Sequence, residues 1–177
     1  KKIKFTYKKA KKNLIKKIKS LKSLSKINFI EYPEDAIKYL GEIAKKIEKY
    51  NGGLLSFDYG YTEIKNNYTL QSIAKHKHAN LLSSPGNADI TSHVNYKLFV
   101  DILNKYNLNV EKIVTQSEFL QKLGILERAN IISKKTTFKK KIDMFYRLKK
   151  LLNHNHMGLL FKVLFATKKG ENFSLGF

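Results

Sequence analysis

Residues 51–61, with the sequence NGGLLSFDYGY, place one acid and two phenols directly after a short apolar run. The run follows a double glycine and has the character of a buried strand, so Asp58, Tyr59 and Tyr61 are predicted at its carboxyl end. Open α/β sheets bind their ligands at that end of their strands. A single aspartate there is also common as a turn former, so both a functional and a structural role stay open.

Two histidine pairs have the spacing of some metal sites, His76 with His78 and His154 with His156. On a strand, this spacing would place both rings of a pair on one face. Neither pair has a nearby Asp, Glu or Cys to complete a ligand set, and the lysines around them repel a cation. We therefore expect no metal site.

Residues 89–93, with the sequence DITSH, bring an acid, hydroxyls and an imidazole within a short stretch. A Ser-His-Asp hydrolase is conceivable, but the chain has no G-x-S-x-G elbow, and such triads are assembled in space. A helix start capped by Thr91 or Ser92, with His93 in the first turn, is the preferred interpretation. No nucleotide-binding glycine loop is present, because the glycines of residues 51–53 precede a strand.

The composition predicts one folded, strongly basic domain. The chain has 177 residues, 42% of them hydrophobic, and a net charge of +21. Among its basic residues only Arg128 and Arg147 are arginines, and lysine attracts polyanions without reading phosphates or bases bidentately. A genome rich in A and T would also enrich lysine, and we prefer that explanation to a specific nucleic-acid partner.

Cysteine is absent, which excludes disulfides, thiolate metal sites and a cysteine nucleophile. The apolar runs are far shorter than the ~20 residues that span a bilayer, so no membrane span is expected. The chain starts with Lys1 and shows no signal-peptide pattern. We expect the sequence to begin within a larger protein.

The hydrophobic pattern predicts alternating helices and strands. Ile3, Phe5 and Tyr7 alternate with polar residues as in a short strand. Residues 10–24 are predicted to form a basic amphipathic helix. Such a helix packs on its own domain or lies on an anionic membrane, and we prefer the first interpretation. Pro33 suits the start of a helix that ends at the glycines before the strand in residues 51–61. Residues 62–93 then form a long connection with little periodicity.

The second half of the chain continues this alternation. Apolar spacing predicts a helix over 94–106, a strand over 108–114, a short helix over 119–125, a helix over 131–152 and a strand over 158–167.

Four segments carry a family resemblance in their order and spacing. They are residues 51–71 (with GGLLSFDYGYTE), 76–96 (with PGNADITSHVNY), 115–128 (TQSEFLQKLGILER) and 157–167 (MGLLFKVLFAT). Together they resemble the carboxyl-terminal half of the MidA family of S-adenosylmethionine-dependent methyltransferases, whose mitochondrial members assist assembly of respiratory complex I. The turn at residues 31–33 also fits the family, and the match runs from about Ile27 to the end of the chain.

The resemblance implies an α/β fold, a partial class I methyltransferase (Rossmann-like) sheet with packing helices. SFDY would be its fifth strand, LNVEKIV the sixth, and FKVLFA the seventh, antiparallel and inserted between them. Residues 1–177 would form a single incomplete domain, with a basic strand-helix lead-in over 1–30 and the carboxyl-terminal half of the methyltransferase domain over 31–177. In the family, the glycine-rich cofactor loop and the acid that binds the ribose precede this region, so they are missing here.

The resemblance also assigns roles to residues. It implies Asp58, Asp89 and His93 as catalytic, and Tyr59, Tyr61, His76, Thr91 and Gln116 as substrate-binding residues; cofactor-binding residues are expected outside this chain. Two positions depart from the family pattern: Asn95 stands where the family usually has Asp, and residues 74–75 replace a typical Arg-Gly pair. An amide cannot act as a general base, so Asn95 is not expected to take a role of that kind.

The implied function is the carboxyl-terminal portion of a protein (arginine) methyltransferase that is inactive alone. The complete enzyme would use S-adenosylmethionine, and this chain alone would bind none. Expected partners are a protein substrate and a second chain carrying the cofactor half, or self-association, in a bacterial cytoplasm rather than a mitochondrial matrix. The alternatives are a basic RNA-associated module and a non-catalytic remnant of a split gene.

Overall fold

The computed structural model describes residues 3–24, 27–63, 65, 68–83, 85–171, 173 and 175–177. The α-helices are α1 (Lys12–Lys19), α2 (Glu34–Tyr50), α3 (Tyr96–Leu103), α4 (Gln116–Lys122), α5 (Ile125–Ser133), α6 (Phe138–Leu152) and α7 (Met157–Leu160). The strands are β1 (Gly53–Tyr61), β2 (Gln71–Ala74), β3 (Lys77–Ala79), β4 (Asp89–Thr91), β5 (Val94–Asn95), β6 (Leu108–Val110), β7 (Val114–Thr115) and β8 (Phe161–Lys168). The predicted α/β class, a sheet with packing helices, is confirmed.

The main sheet is mixed and has the order β5-β1-β8-β6, with β7 also paired to β8. β8 runs antiparallel to β1 from the pair Gly53–Thr167 to the pair Tyr59–Phe161. Its other edge pairs antiparallel with β6 and β7. β5 is parallel to β1 and pairs with it only at Gly60 and Tyr61. The last strand in the chain is therefore the one that joins the two halves of the sheet.

One face of the sheet packs against α2 and α3 to form the main core. α2 is helical because its apolar residues recur at spacings of three and four, and Glu34 and Asp35 suit the positive end of its dipole. The other face is covered by α4 and the carboxyl-terminal phenylalanines. There the Phe119 ring lies 5.1 Å from that of Phe57 and 5.2 Å from that of Phe177.

The amino-terminal prediction is corrected at its first element. Residues 3–10 have no regular secondary structure, so the strand predicted from Ile3, Phe5 and Tyr7 is wrong. All three side chains are exposed, and no described strand pairs with them, so the alternation has neither a core nor a ladder to stabilise it. The helix is shorter than predicted, since α1 covers only Lys12–Lys19; Leu21 and Leu24 are buried beyond its end.

The connection between β1 and α3 is also corrected. The described part of residues 62–93 contains a small antiparallel sheet of order β3-β2-β4, where the sequence predicted no regular structure. Its strands are only three or four residues long and mostly half-exposed or exposed. Such strands leave no clear apolar alternation in a sequence.

Several element boundaries differ from the predictions. The helix predicted over 131–152 is interrupted between α5 and α6, where Thr137 is extended. α3 is capped by Asn95 rather than by Thr91 or Ser92. The strand predicted over 108–114 is split into β6 and β7, and that over 158–167 begins only at Phe161, after the short helix α7. No described helix is long and apolar enough to cross a bilayer.

A close approach in the core brings Gly60 against Tyr96. A Cβ on Gly60 would lie 2.4 Å from the Val94 carbonyl oxygen and 2.7 Å from Cε2 of Tyr96. The Tyr96 hydroxyl in turn lies 3.3 Å from the carbonyl oxygen of Asp58 and 3.2 Å from that of Lys162. Its single proton is shared between these two acceptors in a bifurcated hydrogen bond. Glycine at position 60 thus lets α3 approach β1 and lets one buried phenol bridge β1 and β8.

We expect Gly60→Ala to lower the free energy of unfolding by about 1–3 kcal/mol, because its new methyl group meets backbone and a buried ring. The measurement is thermal or urea unfolding followed by circular dichroism. Gly41→Ala is the matched control. Its Cβ meets mainly the movable Tyr106 hydroxyl at 2.7 Å, and alanine favours the helix interior, so stability should change by less than about 1 kcal/mol. Equal losses in the two variants would contradict the close-packing explanation.

Candidate active site

A cavity of about 530 Å³ lies at the carboxyl end of β1. Its walls come from the end of β1, the segment after it, the residue before β5, the turn between α6 and α7, α7 itself and the start of β8. The lining residues are Gly60, Tyr61, Thr62, Glu63, Lys65, His93, His154, Asn155, His156, Leu159, Leu160 and Lys162. The cavity is therefore at the strand end where the sequence predicted a ligand.

Two of the predicted site residues, Tyr61 and His93, line this cavity, while Tyr59 and Asp58 do not line it but interact with His93. The Tyr59 ring packs edge-on against the His93 imidazole, with centroids 5.5 Å apart, and against Phe161 at 5.8 Å. The Asp58 carboxylate accepts a hydrogen bond of 2.8 Å from the Tyr59 N–H, and its charge also acts on His93. An acid, an imidazole and two phenols thus share one strand end.

His93 is held in the neutral form. Burial lowers the pKa of its imidazole below the usual 6.5, and the positive charges of Lys65 and Lys162 lower it further, against the opposing effect of Glu31 and Asp58. Its Nδ1 atom is buried and has no hydrogen-bond partner within the described part of the chain. A neutral imidazole can accept a proton, which is the chemistry of a general base.

Glu31 fixes the backbone that leads to His93. Its carboxylate accepts hydrogen bonds from the N–H groups of Thr69, at 3.1 Å, and Leu70, at 2.9 Å, and from the Thr69 hydroxyl. The oxygen of that hydroxyl accepts the His93 N–H at 3.0 Å. One carboxylate before α2 therefore ties the segment entering β2 to the residue that faces the cavity.

Asn95 links the same region to α3. Its side-chain oxygen accepts the Leu98 N–H at 3.1 Å and caps the helix, a role that an amide fills as well as a carboxylate. Burial raises the pKa of the neighbouring Tyr61 phenol, Glu31 raises it further, and a hydrogen bond with Asn95 partly offsets both. The departure from the family's usual aspartate leaves the helix cap intact.

The other predicted residues do not line this cavity. Asp89 is exposed and pairs with Ile73 in the small sheet, and Thr91 ends the same strand. His76 is exposed in the turn between β2 and β3, with a left-handed φ of 61°. Gln116 is buried, and its amide donates to the Leu151 carbonyl at 2.9 Å, which ties α4 to the end of α6. Their assigned roles remain predictions.

Several lining residues were not predicted. His154 and His156 were considered only as metal ligands, yet both face the cavity with His93; among the described residues no group of three potential ligands is placed to hold a metal. Lys162 lies directly opposite Asp58 in the β1–β8 register. The family resemblance implied that this strand is antiparallel, but it did not specify which residues pair, so the position of Lys162 opposite Asp58 was not predicted.

The fold and the site define an α/β domain with a mixed sheet and a ligand-sized cavity at the carboxyl end of a central strand. Residues 1–114 match the family model described as "Putative S-adenosyl-L-methionine-dependent methyltransferase". The chain belongs to this family, which is the MidA family that the four segments resemble.

Curated relatives carry the same description in more specific terms. The chain is 29% identical over 136 residues to "Protein arginine methyltransferase NDUFAF7, mitochondrial" of Xenopus tropicalis, a match covering 75% of this chain and 31% of that protein. It is 32% identical over 95 residues to the homolog of Drosophila melanogaster, covering 53% and 22% of the two chains. The chain thus spans about a third or less of the length of these relatives.

Two solved structures from Burkholderia thailandensis share the fold. An uncharacterized protein superposes with a TM-score of 0.75 at 21% identity, covering 86% of this chain and 43% of its own. A second one, bound to S-adenosyl-homocysteine, gives a TM-score of 0.71 at 20% identity, covering 86% and 42%. At these identities the match establishes the fold.

The described residues do not fit S-adenosylmethionine by themselves. A class I cofactor site needs a glycine-rich turn after a strand and an acid for the ribose. The double glycine Gly52–Gly53 lies at the amino end of β1, away from the cavity. No step of the chemistry is therefore assigned to the cofactor on this chain.

We expect Glu31→Gln to destabilise the fold by about 1–3 kcal/mol, because an amide cannot accept all of the bonds that the carboxylate accepts. Hydrogen exchange should accelerate at the Thr69, Leu70 and His93 amides. Glu34→Gln makes the same change three residues later, at an exposed ion pair with Lys17, and should leave these amides unchanged. Unaltered hydrogen exchange in Glu31→Gln would contradict the role of the Glu31 carboxylate in holding this segment.

We expect the stability of the chain to fall as pH drops from about 7 to 5, in part through His93. The pKa of this imidazole is lower in the folded than in the unfolded chain, so the unfolded chain binds more protons in this range. The contribution of His93 to folding stability is fully present above its unfolded-state pKa of 6.5. It is lost as pH falls through the lower pKa of the folded state. His93→Gln should flatten the pH dependence of the unfolding midpoint relative to the unaltered chain. Identical pH profiles of the unaltered chain and His93→Gln would contradict this expectation. So would an NMR titration that gives His93 a pKa at or above 6.5.

Proposed function

We propose that this chain supplies the acceptor side of an S-adenosylmethionine-dependent protein methyltransferase that acts on arginine, with the cofactor held mainly by residues outside residues 1–177. The cluster of Asp58, Tyr59, Tyr61 and His93 at the end of β1 carries the proposal. Family membership, the arginine methyltransferase name of its relatives and the S-adenosyl-homocysteine bound by one structural neighbour support it.

The sheet supports the matching strand assignment. β1 corresponds to the fifth strand of a class I methyltransferase sheet, β6 and β7 to the sixth, and β8 to the seventh. The antiparallel placement of β8 between β1 and the β6–β7 edge supports this assignment. The first strands of the sheet, which carry the glycine-rich loop, then belong to another polypeptide or segment.

The strand-end residues suit a guanidinium acceptor that loses a proton. Asp58 offers a carboxylate to orient the acceptor and offset its charge, and the neutral imidazole of His93 is placed to take up the proton. Tyr59 holds the His93 ring edge-on. Asp58 would stabilise the imidazolium once it has formed.

The lysines of the cavity constrain how the acceptor enters. Lys65 and Lys162 line it and repel a guanidinium, whereas Glu63 also lines it and Asp58, outside the lining, acts through its charge on His93. Lys162 donates a hydrogen bond to the Leu159 carbonyl, and burial lowers its pKa. We infer that the acceptor approaches from the side of Asp58 and Glu63. Asp89, His76, Thr91 and Gln116 keep their proposed roles in binding or catalysis through the complete enzyme.

The open edge of β1 supports a partner strand. On the side of β5, β1 is paired only at Gly60 and Tyr61, so the described residues 53–59 leave their outer edge unpaired. Leu55 and Phe57 are 50% and 42% exposed on this strand. Unpaired edges with exposed apolar side chains favour association, either with a second chain carrying the cofactor half or between copies of this chain.

We expect the isolated chain to give no measurable heat on titration with S-adenosylmethionine or S-adenosyl-homocysteine. Adding a polypeptide that comprises the preceding portion of a complete family member should restore binding and methylation of arginine in a substrate protein. Micromolar affinity of the isolated chain would contradict the divided cofactor site.

The matched variant in the restored enzyme is Asp58→Asn, which keeps the size of the side chain and removes its charge. We expect it to bind S-adenosyl-homocysteine normally and to lose activity by about 100-fold or more. Activity equal to that of the unaltered chain would contradict the role of Asp58.

Two other functions remain as outcomes of these experiments. A basic RNA-associated module would bind RNA with an affinity that falls steeply with salt. A non-catalytic remnant would neither restore a cofactor site nor associate with the preceding portion. We place the enzyme in a bacterial cytoplasm, which cell fractionation tests directly.

A further inference from the structure

A second feature lies on α6, on a face of the helix that does not pack on the domain. Leu148 is buried and Met144 half-buried on the packed side. Phe138, Ile142 and Phe145 follow one another at spacings of four and three, which aligns them along a different side of the helix. Phe138 is 79% exposed, Ile142 55% and Phe145 37%. We call these three residues, with the adjoining Tyr146, the exposed stripe of α6.

Lysines border the exposed stripe. By helical geometry Lys141 lies on one side of it, Lys139 and Lys150 lie on the other, and Lys149 falls within it. The Lys150 ammonium lies 4.8 Å from the centre of the Tyr146 ring, which is itself 58% exposed. The cations therefore stand beside apolar and aromatic side chains.

The charge of this region is one-sided. Residues 125–152 contain nine basic and two acidic residues. The acid on α6, Asp143, accepts a hydrogen bond of 2.9 Å from Arg147, and both residues lie beyond Lys150, outside the exposed stripe. The surface around the stripe thus attracts anions while the stripe itself is apolar.

We propose that the exposed stripe of α6 docks the protein on an anionic lipid surface. A helix with aromatic and aliphatic side chains on one face and lysines along its borders lies in the plane of a bilayer interface. The apolar side chains enter the boundary between headgroups and acyl chains, and the lysine stems extend back to the lipid phosphates. This contact is peripheral, and it is independent of the cavity at the end of β1.

The shape of the stripe favours a bilayer over a folded partner or RNA. Phe138 and Ile142 stand out from a convex helix surface, and a bilayer accepts them without needing a matching groove. RNA binding would favour arginine and stacked aromatic rings, whereas this stripe combines lysine with an aliphatic side chain at its centre. An anionic bilayer therefore uses both the apolar and the basic residues of the stripe.

The chain contains no tryptophan, so one introduced tryptophan is a specific probe. In Phe138→Trp, we expect the emission to shift to shorter wavelength with vesicles of phosphatidylcholine and phosphatidylglycerol, and to stay unchanged with phosphatidylcholine alone. Added salt should reduce the shift. The control is Tyr39→Trp on α2, a residue 62% exposed, whose emission should not change.

A second variant tests the same contact without a probe. Ile142→Ser combined with Tyr146→Ser should reduce cosedimentation with the anionic vesicles at least tenfold. Circular dichroism and the unfolding midpoint should stay unchanged, since both side chains are exposed. Tyr39→Ser is the matched control and should bind as well as the unaltered chain.

The outcomes separate lipid from the alternatives. No emission shift, an equal shift in the Tyr39→Trp control, or full binding by the double serine variant would overturn the proposal. So would an equal emission shift on adding a soluble RNA homopolymer, which would assign the surface to nucleic acid. A shift specific to the anionic vesicles, lost in the serine variant, supports it.

Discussion

The antiparallel pairing of β8 with β1 is the constraint on which the rest of the structure depends. β8 is paired along both edges, to β1 on one side and to β6 and β7 on the other, whereas β1 meets its second neighbour, β5, only at Gly60 and Tyr61. Its central residues are fully buried. Both helical layers pack on this sheet. α2 and α3 cover one face, and α4 with the carboxyl-terminal phenylalanines covers the other. The Tyr96 hydroxyl lies against carbonyls of both β1 and β8 and so bridges the two paired strands.

The parts of the fold that the sequence predicts well are those with strong local signals. α2 has regular apolar spacing, a proline and acids at its start and glycines at its end, and it forms as predicted over Glu34–Tyr50. β1 follows from the same glycines and its apolar run. The predictions failed where the local signal was present but no tertiary partner existed, as at Ile3, Phe5 and Tyr7. They also failed where a tertiary partner supplied what the local signal lacked, as in the three short strands after β1.

The site was predictable in its centre and not at its edges. The strand-end rule predicted Asp58, Tyr59 and Tyr61 near the carboxyl end of β1, where they lie, and the family pattern pointed to His93, which lines the cavity; their functional roles stay predictions. The lysines that lower the pKa of His93 come from a loop and from the start of β8, so their proximity is a result of topology. The contribution of Glu31 is also non-local, because its carboxylate binds backbone groups almost forty residues later. A sequence shows that such residues exist, but their contacts depend on the folded chain.

The long separation between β1 and β8 has a consequence for how the protein is made. β1 is complete at Tyr61, yet its antiparallel neighbour ends at Lys168. During synthesis, α2, β1 and α3 leave the ribosome well before the strand that completes their sheet. In that interval, the edge of β1 that β8 will cover is unpaired, and nascent chains of this kind are open to wrong pairing and to chaperones. The main sheet of this domain is thus completed only after β8 has been synthesised.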